Sequence, residues 1–321
     1  MIGVVVGTAA VLALAGVFSG GAEEEATERA VPSAEDGGRQ PSGDSGPELS
    51  TVRIGGRPTA VAAGQGGVWV ADSFSRRAAA LESEAADAKP TTFRLGGPAS
   101  DVTVDERGAW YALPEQHAVE RRELSDPGAA GETVDLKGFP SVVSSGESAV
   151  WALSGRSVER IDPESLDAGE EIDVGDFASS LAVGEGGLWV VAGNREVVRL
   201  DLVSGETDGE PVEVPEAFGV ATGEGAVWVV SASGEVTRIE PDSLAATTSP
   251  APVRGALDVA AGHGSVWVTS SNRTVTRLDP ESLEPLGEQL RVGDEPASVS
   301  VGTDAVWVAN GGDGTLTRIR P

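Results

Sequence analysis

Cysteine is absent from this chain of 321 residues, and lysine, methionine and aromatic residues are scarce. The lack of cysteine excludes disulfide bonds, thiolate metal sites and a lipid-modified N-terminal cysteine. Aromatic residues make up only 4% of the chain, yet seven of them are tryptophan. Their placement along the chain therefore carries the information.

Positive charge is also scarce. The chain has 23 basic residues against 51 acidic ones, which gives a net charge of −28. Such a surface repels the phosphate backbone of nucleic acids, so we expect no nucleic-acid partner. An acidic surface of this kind favours solubility.

The first 22 residues carry no charged side chain and include two apolar runs, at residues 2–6 and 11–15. A stretch of about 20 uncharged residues can span a bilayer as a helix. A signal peptide normally has a lysine or arginine before its apolar run, and none precedes this one. This absence favours an uncleaved membrane anchor. The small residues Gly20-Gly21-Ala22 are acceptable at a signal-peptide cleavage site, so a cleaved signal segment is the alternative. A third possibility is that the chain is the outer part of a longer membrane protein.

Residues 23–50 are rich in Glu, Pro, Gly and Ser and contain almost no large apolar side chain. Burial cannot offset the chain entropy of such a segment, so we expect a disordered tether. The folded domain then covers residues 51–321. It is placed outside the cytoplasm, attached to the membrane through the N-terminal segment, or secreted if that segment is cleaved.

A repeat of about 40 residues dominates the rest of the chain. Each copy contains one tryptophan in a phrase such as GGVWVAD or GAVWVVS, with a large aliphatic residue eight positions earlier. The seven tryptophans lie between 38 and 41 residues apart, at Trp69, Trp110, Trp151, Trp189, Trp228, Trp267 and Trp307. Seven copies at this spacing indicate seven structural repeats.

Four short β-runs separated by Gly, Asp-Pro and Asn-Gly turns are typical of a propeller blade. In the first copy we predict strands at residues 58–64, 67–72, 77–82 and 91–95. The first two are almost continuously apolar, which suits a sheet covered on both faces by neighbouring blades. The predicted fold is therefore all-β, a seven-bladed propeller of four-stranded blades. An eight-stranded barrel or a sandwich does not explain seven copies of a four-strand unit.

The two ends of the repeat region complement each other. The last copy stops after its third strand, at residues 315–319, while a spare strand at residues 51–54 precedes the first copy. We predict that the N-terminal strand completes the last blade and closes the ring, which removes two exposed sheet edges.

The phrases GEGAVWVVSASGEVTRIEPDSL and GTDAVWVANGGDGTLTRIRP resemble the YVTN-type and virginiamycin B lyase-like propellers of bacteria. The resemblance covers residues 51–321. It implies the propeller fold and a group that mixes binding proteins, sensor domains of membrane kinases and a few lyases. The lyase members are expected to use His and Glu with a divalent metal on the propeller face. Neither histidine of this chain, His117 or His263, lies in such a context, so the activity is not carried over.

Basic residues gather in the loops that join strands four to one and two to three, which share one face of a propeller. They are Arg57, Arg76, Lys137, Arg156, Arg195, Arg254 and Arg273. Nine residues before each tryptophan the side chains are mostly small, but two are Asp101 and Asp258. The arginines and these two aspartates are the candidate ligand-binding residues, for a protein, a peptide or an anionic envelope ligand. The alternative is that arginine simply replaces lysine in surface loops.

No catalytic motif, phosphate-binding glycine loop or metal-ligand spacing is present in the sequence, so we expect no metal and no cofactor. The tryptophans are predicted core residues, and the repeated third-strand arginines are predicted partners of acids. The functional prediction is an extracytoplasmic binding module, a monomer, which forms the sensor part of a longer signalling protein or stands alone. The alternatives are a lyase or hydrolase of the virginiamycin B lyase-like kind and a structural repeat protein.

Overall fold

The computed structural model describes residues 46–146 and 148–321. The predicted anchor at residues 1–22 and the predicted tether up to residue 45 lie outside the described residues. Within the described part, no helix has the length and apolar composition needed to cross a bilayer.

Twenty-eight strands form seven four-stranded antiparallel sheets, which confirms the predicted seven-bladed propeller. In blades 1 to 3, the strands run in order from the innermost to the outermost position. Blade 1 holds β2 (Ala60–Gly64), β3 (Gly67–Ala71), β4 (Arg77–Leu81) and β5 (Thr91–Arg94). Blade 2 holds β6 (Asp101–Asp105), β7 (Gly108–Leu113), β8 (Ala118–Arg122) and β9 (Glu132–Asp135), with a single 3-10 turn at Pro114–Gln116. Blade 3 holds β10 (Val142–Ser145), β11 (Val150–Ser154), β12 (Ser157–Ile161) and β13 (Ile172–Asp173).

The remaining blades repeat the same order. Blade 4 holds β14 (Ala178–Gly184), β15 (Gly187–Ala192), β16 (Glu196–Leu200) and β17 (Val212–Glu213). Blade 5 holds β18 (Ala217–Gly223), β19 (Ala226–Ser231), β20 (Val236–Ile239) and β21 (Ala246–Thr248). Blade 6 holds β22 (Ala256–Gly262), β23 (Ser265–Ser270), β24 (Thr274–Leu278) and β25 (Leu290–Arg291). Blade 7 holds β26 (Pro296–Val301), β27 (Val306–Asn310), β28 (Thr315–Arg320) and β1 (Glu48–Arg53).

The N-terminal strand closes the ring as predicted. β1 pairs with β28 in the last blade, from Glu48 opposite Arg320 to Arg53 opposite Thr315. It begins three residues earlier than the predicted strand because β28 also extends to residue 320 and offers it a partner along its whole length.

A second contact closes the seam between blades 7 and 1. The buried carboxylate of Glu84, in the loop after β4, accepts hydrogen bonds from the backbone N–H groups of Thr303 (2.8 Å) and Asp304 (3.1 Å). The backbone carbonyl of Glu84 accepts a hydrogen bond of 2.7 Å from Nε of Arg318. The sheet pairing of β1 is thus reinforced by a loop that reaches back from blade 1.

All seven tryptophans are core residues, at most 2% exposed, as predicted. In six blades the residue opposite the tryptophan on the third strand is an arginine. The Arg199 guanidinium lies 5.4 Å from the ring centre of Trp189, and Arg121, Arg238 and Arg277 are placed similarly over their own tryptophans. In four blades the third-strand arginine thus lies over its tryptophan, a role that the sequence analysis did not assign to it. Three of these arginines also pair with an acid, which is the predicted kind of partner: Arg121 with Glu132, Arg199 with Asp208 and Arg238 with Glu240.

The antiparallel order of each blade divides the loops between two faces. We call the loop face the one formed by the connections from strand four to strand one and from strand two to strand three. The turn face is formed by the connections from strand one to two and from three to four. Since Glu48 lies opposite Arg320, at the end of a third strand, the chain enters the domain from the turn face.

Candidate functional site

Each blade presents its innermost strand to the central channel, and its backbone N–H groups on that edge have no partner strand. Two of them are capped by the aspartates that the sequence analysis selected. Oδ2 of Asp101 accepts a hydrogen bond from the backbone N–H of Val143 in blade 3, at 2.9 Å. Oδ2 of Asp258 accepts one from the N–H of Val299 in blade 7, at 2.8 Å. Both aspartates are 0% exposed, so in this structure they join blades and do not reach the solvent.

Hydroxyl groups make the same connection between other blades. Ser180 bonds to the N–H of Val220 (3.3 Å), and Ser298 bonds to the N–H of Val61 (3.4 Å). Two positions further along the innermost strands, three more residues accept an N–H from the next blade: Thr103, Ser144 and Ser300. The small polar residues nine and seven positions before the tryptophans are therefore a blade-joining set. Their regular spacing from each tryptophan would have identified them in the sequence.

Burial raises the pKa of the Asp101 carboxyl well above its ordinary value. The negative charge of Asp258 acts in the same direction, whereas the hydrogen bond from Val143 opposes it. The two aspartates belong to blades 2 and 6, which lie across the ring from each other. The pKa of Asp101 is thus raised both by its own burial and by a carboxylate on the opposite side of the ring.

The predicted arginines all lie on the loop face, and most of them have acidic partners close by. Arg57 pairs with Glu295 at 2.9 Å, and its guanidinium also lies 4.3 Å from the ring centre of Phe74. Three others pair with acids of the same loop face: Arg156 with Asp173 at the end of β13 (3.2 Å), Arg195 with Glu196 at the start of β16 (3.8 Å) and Arg273 with Asp294 in the loop before β26 (2.9 Å). Arg76 and Arg254 are exposed and form no ion pair within residues 46–146 and 148–321.

The loop face therefore does not form one continuous basic rim. Arg57 and Arg273 converge, because their partners Glu295 and Asp294 are neighbours in the loop before β26. Arg156 and Arg195 belong to the adjacent blades 3 and 4, while Arg254 stands apart between blades 5 and 6. Exposed ion pairs of this type contribute little to stability, about 0–1 kcal/mol each, so a ligand could exchange them for its own charges.

Exposed phenylalanines are the feature of the loop face that the sequence analysis missed. Phe139 is 63% exposed, and Phe74 and Phe177 are each 57% exposed. All three stand in loop-face connections, and the ring of Phe139 lies 4.0 Å from that of His117. Phe139 and Phe177 both precede a tryptophan by twelve residues, next to turn residues, and this pattern could have revealed them.

The turn face has a different character. Its connections between third and fourth strands, in blades 1 to 6, each contain two to five acidic residues, and Lys89 is their only base. They span residues 82–90, 123–131, 162–171, 201–211, 240–245 and 279–289. Acidity is thus concentrated on the turn face, whereas the loop face has acids and bases in similar number.

Several acids of the turn face shape turns. Oδ1 of Asp279 accepts the N–H groups of Glu281 (3.0 Å) and Ser282 (2.8 Å), and these bonds lower the pKa of Asp279. The N–H of Ser204 and the hydroxyl of the same residue do the same for Asp201. Asp279 is thus a turn initiator, as its Asp-Pro context predicts, and Asp201 initiates the equivalent turn although Leu202 follows it.

The two histidines lie on opposite faces of the propeller. His117 follows the 3-10 turn on the loop face, and His263 occupies a turn-face hairpin where Nε2 contacts the Gly302 carbonyl oxygen at 3.1 Å. They therefore do not share one site. In the described part of the chain, no three His, Asp or Glu side chains are grouped so that they could hold a metal ion.

Comparison with solved structures identifies the fold. The chain superposes on the virginiamycin B lyase of Staphylococcus aureus with a TM-score of 0.72 and 17% identity, over 86% of this chain and 99% of the lyase. A streptogramin B lyase structure gives a TM-score of 0.72 and 15% identity, over 85% and 97% of the two chains. This is a virginiamycin B lyase-like β-propeller fold. The WD40 propeller domain of Doa1 is also similar, with a TM-score of 0.68 and 12% identity over 85% and 96% of the chains.

The similarity to the virginiamycin B lyase-like propellers is one of fold alone at these levels of identity. No known family model matches the chain, and a search of curated proteins gave no match. The function must therefore be argued from the surface of the propeller.

Proposed function

We propose that this protein is a binding module held outside the cytoplasm by its N-terminal segment, and that it binds a partner protein on the loop face. It serves as the sensor part of a longer membrane signalling protein or acts alone. The observation that carries the proposal is the concentration of exposed aromatic side chains on this face: Phe74, Phe139 and Phe177. Aromatic residues are enriched in protein interfaces, where they bury a large area at a small cost in side-chain entropy.

The distribution of charge supports the same face. A partner that approaches the turn face meets a dense array of carboxylates, whereas the loop face has exposed cations and acids in similar number. Long-range repulsion at the loop face is therefore weaker, and its exposed ion pairs can be exchanged for pairs with the partner.

The direction of the chain supports the proposed attachment. The polypeptide enters the domain from the turn face, at the Glu48 end of β1. A membrane segment before it would therefore lie on the turn-face side, and the loop face would point away from the membrane. If residues 23–47 form the predicted tether, those 25 residues would have an end-to-end distance of about 30 Å, enough to separate the acidic face from an anionic bilayer.

Site-specific photo-crosslinking tests the proposal. A photoreactive phenylalanine analogue at position 139 or 177 of the full chain, in the source cells, should give discrete adducts with one partner. Val203 provides the matched control, because it is 89% exposed but lies on the turn face. Adducts at position 203 alone, or equal adducts from both faces, would contradict loop-face binding.

A lyase or hydrolase activity at the propeller face is the second candidate, favoured by the superposition on two lyases over most of both chains. Incubation of the full chain with virginiamycin B, with and without divalent cations, tests it directly. Cleavage of virginiamycin B faster than in the protein-free control would establish a lyase or hydrolase activity. Virginiamycin B that stays unchanged would exclude this candidate.

A further inference from the structure

Two arginines face each other across neighbouring strands at the loop-face rim of blade 1. Arg77 begins β4, Arg94 ends β5, and the two are paired directly opposite in the strand register. Residues paired in this way project from the same side of the sheet, where like charges destabilise the pair. In a chain with more than twice as many acids as bases, this juxtaposition requires an explanation.

The same register position in other blades never pairs two bases. Four of these pairs contain at most one charged residue: Ala118–Asp135, Ser157–Asp173, Thr274–Arg291 and Thr315–Arg53. Blade 4 pairs two acids, Glu196 and Glu213, but there Arg195 lies 3.8 Å from the Glu196 carboxylate. The repulsion between like charges is thus compensated in blade 4.

In blade 1, no ion pair among the described residues compensates the two arginines. Within residues 46–146 and 148–321, neither Arg77 nor Arg94 forms an ion pair, and neither does the adjacent Arg76. Asp72 lines a small cavity together with Arg77, but its carboxylate accepts the backbone N–H groups of Arg57 and Phe74. Arg77 and Arg94 are therefore two paired cations without an ion-pair partner among the described residues.

The surroundings of the pair suit an anion. Nη2 of Arg77 donates a hydrogen bond of 2.7 Å to the Ile54 carbonyl, which holds this guanidinium in place and leaves its other N–H groups available. The two arginines line an open groove together with Ser75, Thr92 and Phe93. Ser75 and Thr92 each add a hydroxyl donor. A braced guanidinium with a second one beside it matches the geometry of a carboxylate or phosphate group.

We propose that this groove, at the rim of the loop face, binds an oxyanion carried by the ligand, either a carboxylate or a phosphate group. The inference rests on the proposed function in one respect, since it names the chemistry of a ligand for the same face. It does not depend on the exposed phenylalanines, and its test is separate from the crosslinking at positions 139 and 177.

Thermal unfolding and titration calorimetry of the full chain at low ionic strength test the proposal with three probes: inorganic phosphate, a tetraglutamate peptide and a tetraglutamine peptide. The variants are Arg94→Gln and, as the matched control, Arg291→Gln. Arg291 occupies the same register position on blade 6, but it faces Thr274 instead of a second arginine. Both side chains are exposed, so neither substitution should disturb the core.

We expect phosphate or tetraglutamate to bind and to raise the melting temperature, and tetraglutamine to have no effect. Arg94→Gln should weaken that binding at least tenfold, while Arg291→Gln leaves it unchanged. Without an anion, Arg94→Gln should melt higher than the parent chain, because the repulsion is removed. If only one of the two anions binds, the ligand carries that kind of oxyanion: a phosphate group if phosphate binds, or a carboxylate if tetraglutamate binds. The proposal is overturned if neither anion binds, or if Arg94→Gln and Arg291→Gln bind equally well.

Discussion

Asp258 in the first strand of blade 6 bonds through its carboxylate to the backbone N–H of Val299 in the first strand of blade 7, at 2.8 Å. This bond replaces the strand pairing that the innermost edge of a blade lacks. Because both groups are buried, the free energy of unfolding should depend on it strongly.

Asp258→Ala should lower the free energy of unfolding by about 1–3 kcal/mol, since it leaves the N–H of Val299 buried without a partner. Ser180→Ala is the comparison, because it removes a longer bond, of 3.3 Å, from a neutral hydroxyl. Its effect should be smaller, about 0.5–1.5 kcal/mol. Urea unfolding followed by tryptophan fluorescence measures both. An equal or larger loss in Ser180→Ala would contradict the assigned role of the Asp258 carboxylate.

The raised pKa of Asp101 predicts a pH dependence with a defined sign. A carboxyl whose pKa is higher in the folded state than in the unfolded state lowers stability as pH rises from about 4 towards the folded-state value. Asp101→Asn removes this loss, and its amide oxygen can still accept the N–H of Val143.

The melting temperature of Asp101→Asn minus that of the parent chain should therefore increase from pH 4 to pH 8. Melting curves across this range measure the difference. A difference that is constant with pH would show that the carboxyl titrates alike in the folded and unfolded states.

Arg199 makes several contacts through one side chain, including an ion pair with Asp208, and two of the others should stabilise the fold. It lies over Trp189, with 5.4 Å from the guanidinium to the ring centre, and it donates a 3.1 Å hydrogen bond to the Pro241 carbonyl in blade 5. Arg199→Ala should cost about 1–3 kcal/mol in unfolding free energy, from the lost cation–π contact and the lost inter-blade bond. Arg195→Ala, at an exposed loop position, should change it by less than about 0.5 kcal/mol. If the two variants unfold alike, the stacking has no energetic role.

Ring closure can be tested with an engineered disulfide, because the chain has no cysteine of its own. Glu48 and Arg320 are paired across β1 and β28, and both are exposed. Paired residues of antiparallel strands lie about 4.5–5.5 Å apart between Cα atoms, within the range of a disulfide.

The Glu48→Cys, Arg320→Cys chain should form an intramolecular disulfide on oxidation and melt at a higher temperature than its reduced form. Glu48→Cys combined with Arg291→Cys, on another blade, should not form one. Non-reducing electrophoresis separates the outcomes. A disulfide-linked dimer in place of the intramolecular bond would mean that the strand is exchanged between chains.

The regular features of the propeller could be predicted from the sequence, because they repeat. The spacing of the tryptophans predicts seven blades. The spare strand at the N-terminal end and the missing fourth strand of the last copy predict the ring closure. The pairing of Arg77 with Arg94 was not predicted, since it depends on the exact register of two strands in one blade. The same holds for Glu84, whose partners lie 219 and 220 residues away in the chain.

The candidate ligand residues were placed on the correct face by the repeat, but their environments were not predictable. The local ion pairs of Arg57, Arg156 and Arg273 depend on loop conformation. The burial of Asp101 and Asp258 depends on how the innermost strands pack together, since each carboxylate bonds to the backbone of the next blade. The exposure of the loop-face phenylalanines could not be predicted either, because it depends on how the connections are arranged in three dimensions.

The central claim is that the propeller is displayed outside the cytoplasm with its loop face accessible to a partner. Phe177→Cys places the only thiol of the full chain on that face. A membrane-impermeant maleimide should label it in intact source cells to the same extent as after lysis, and bound partner should protect it. Labelling that occurs only after lysis would contradict the account.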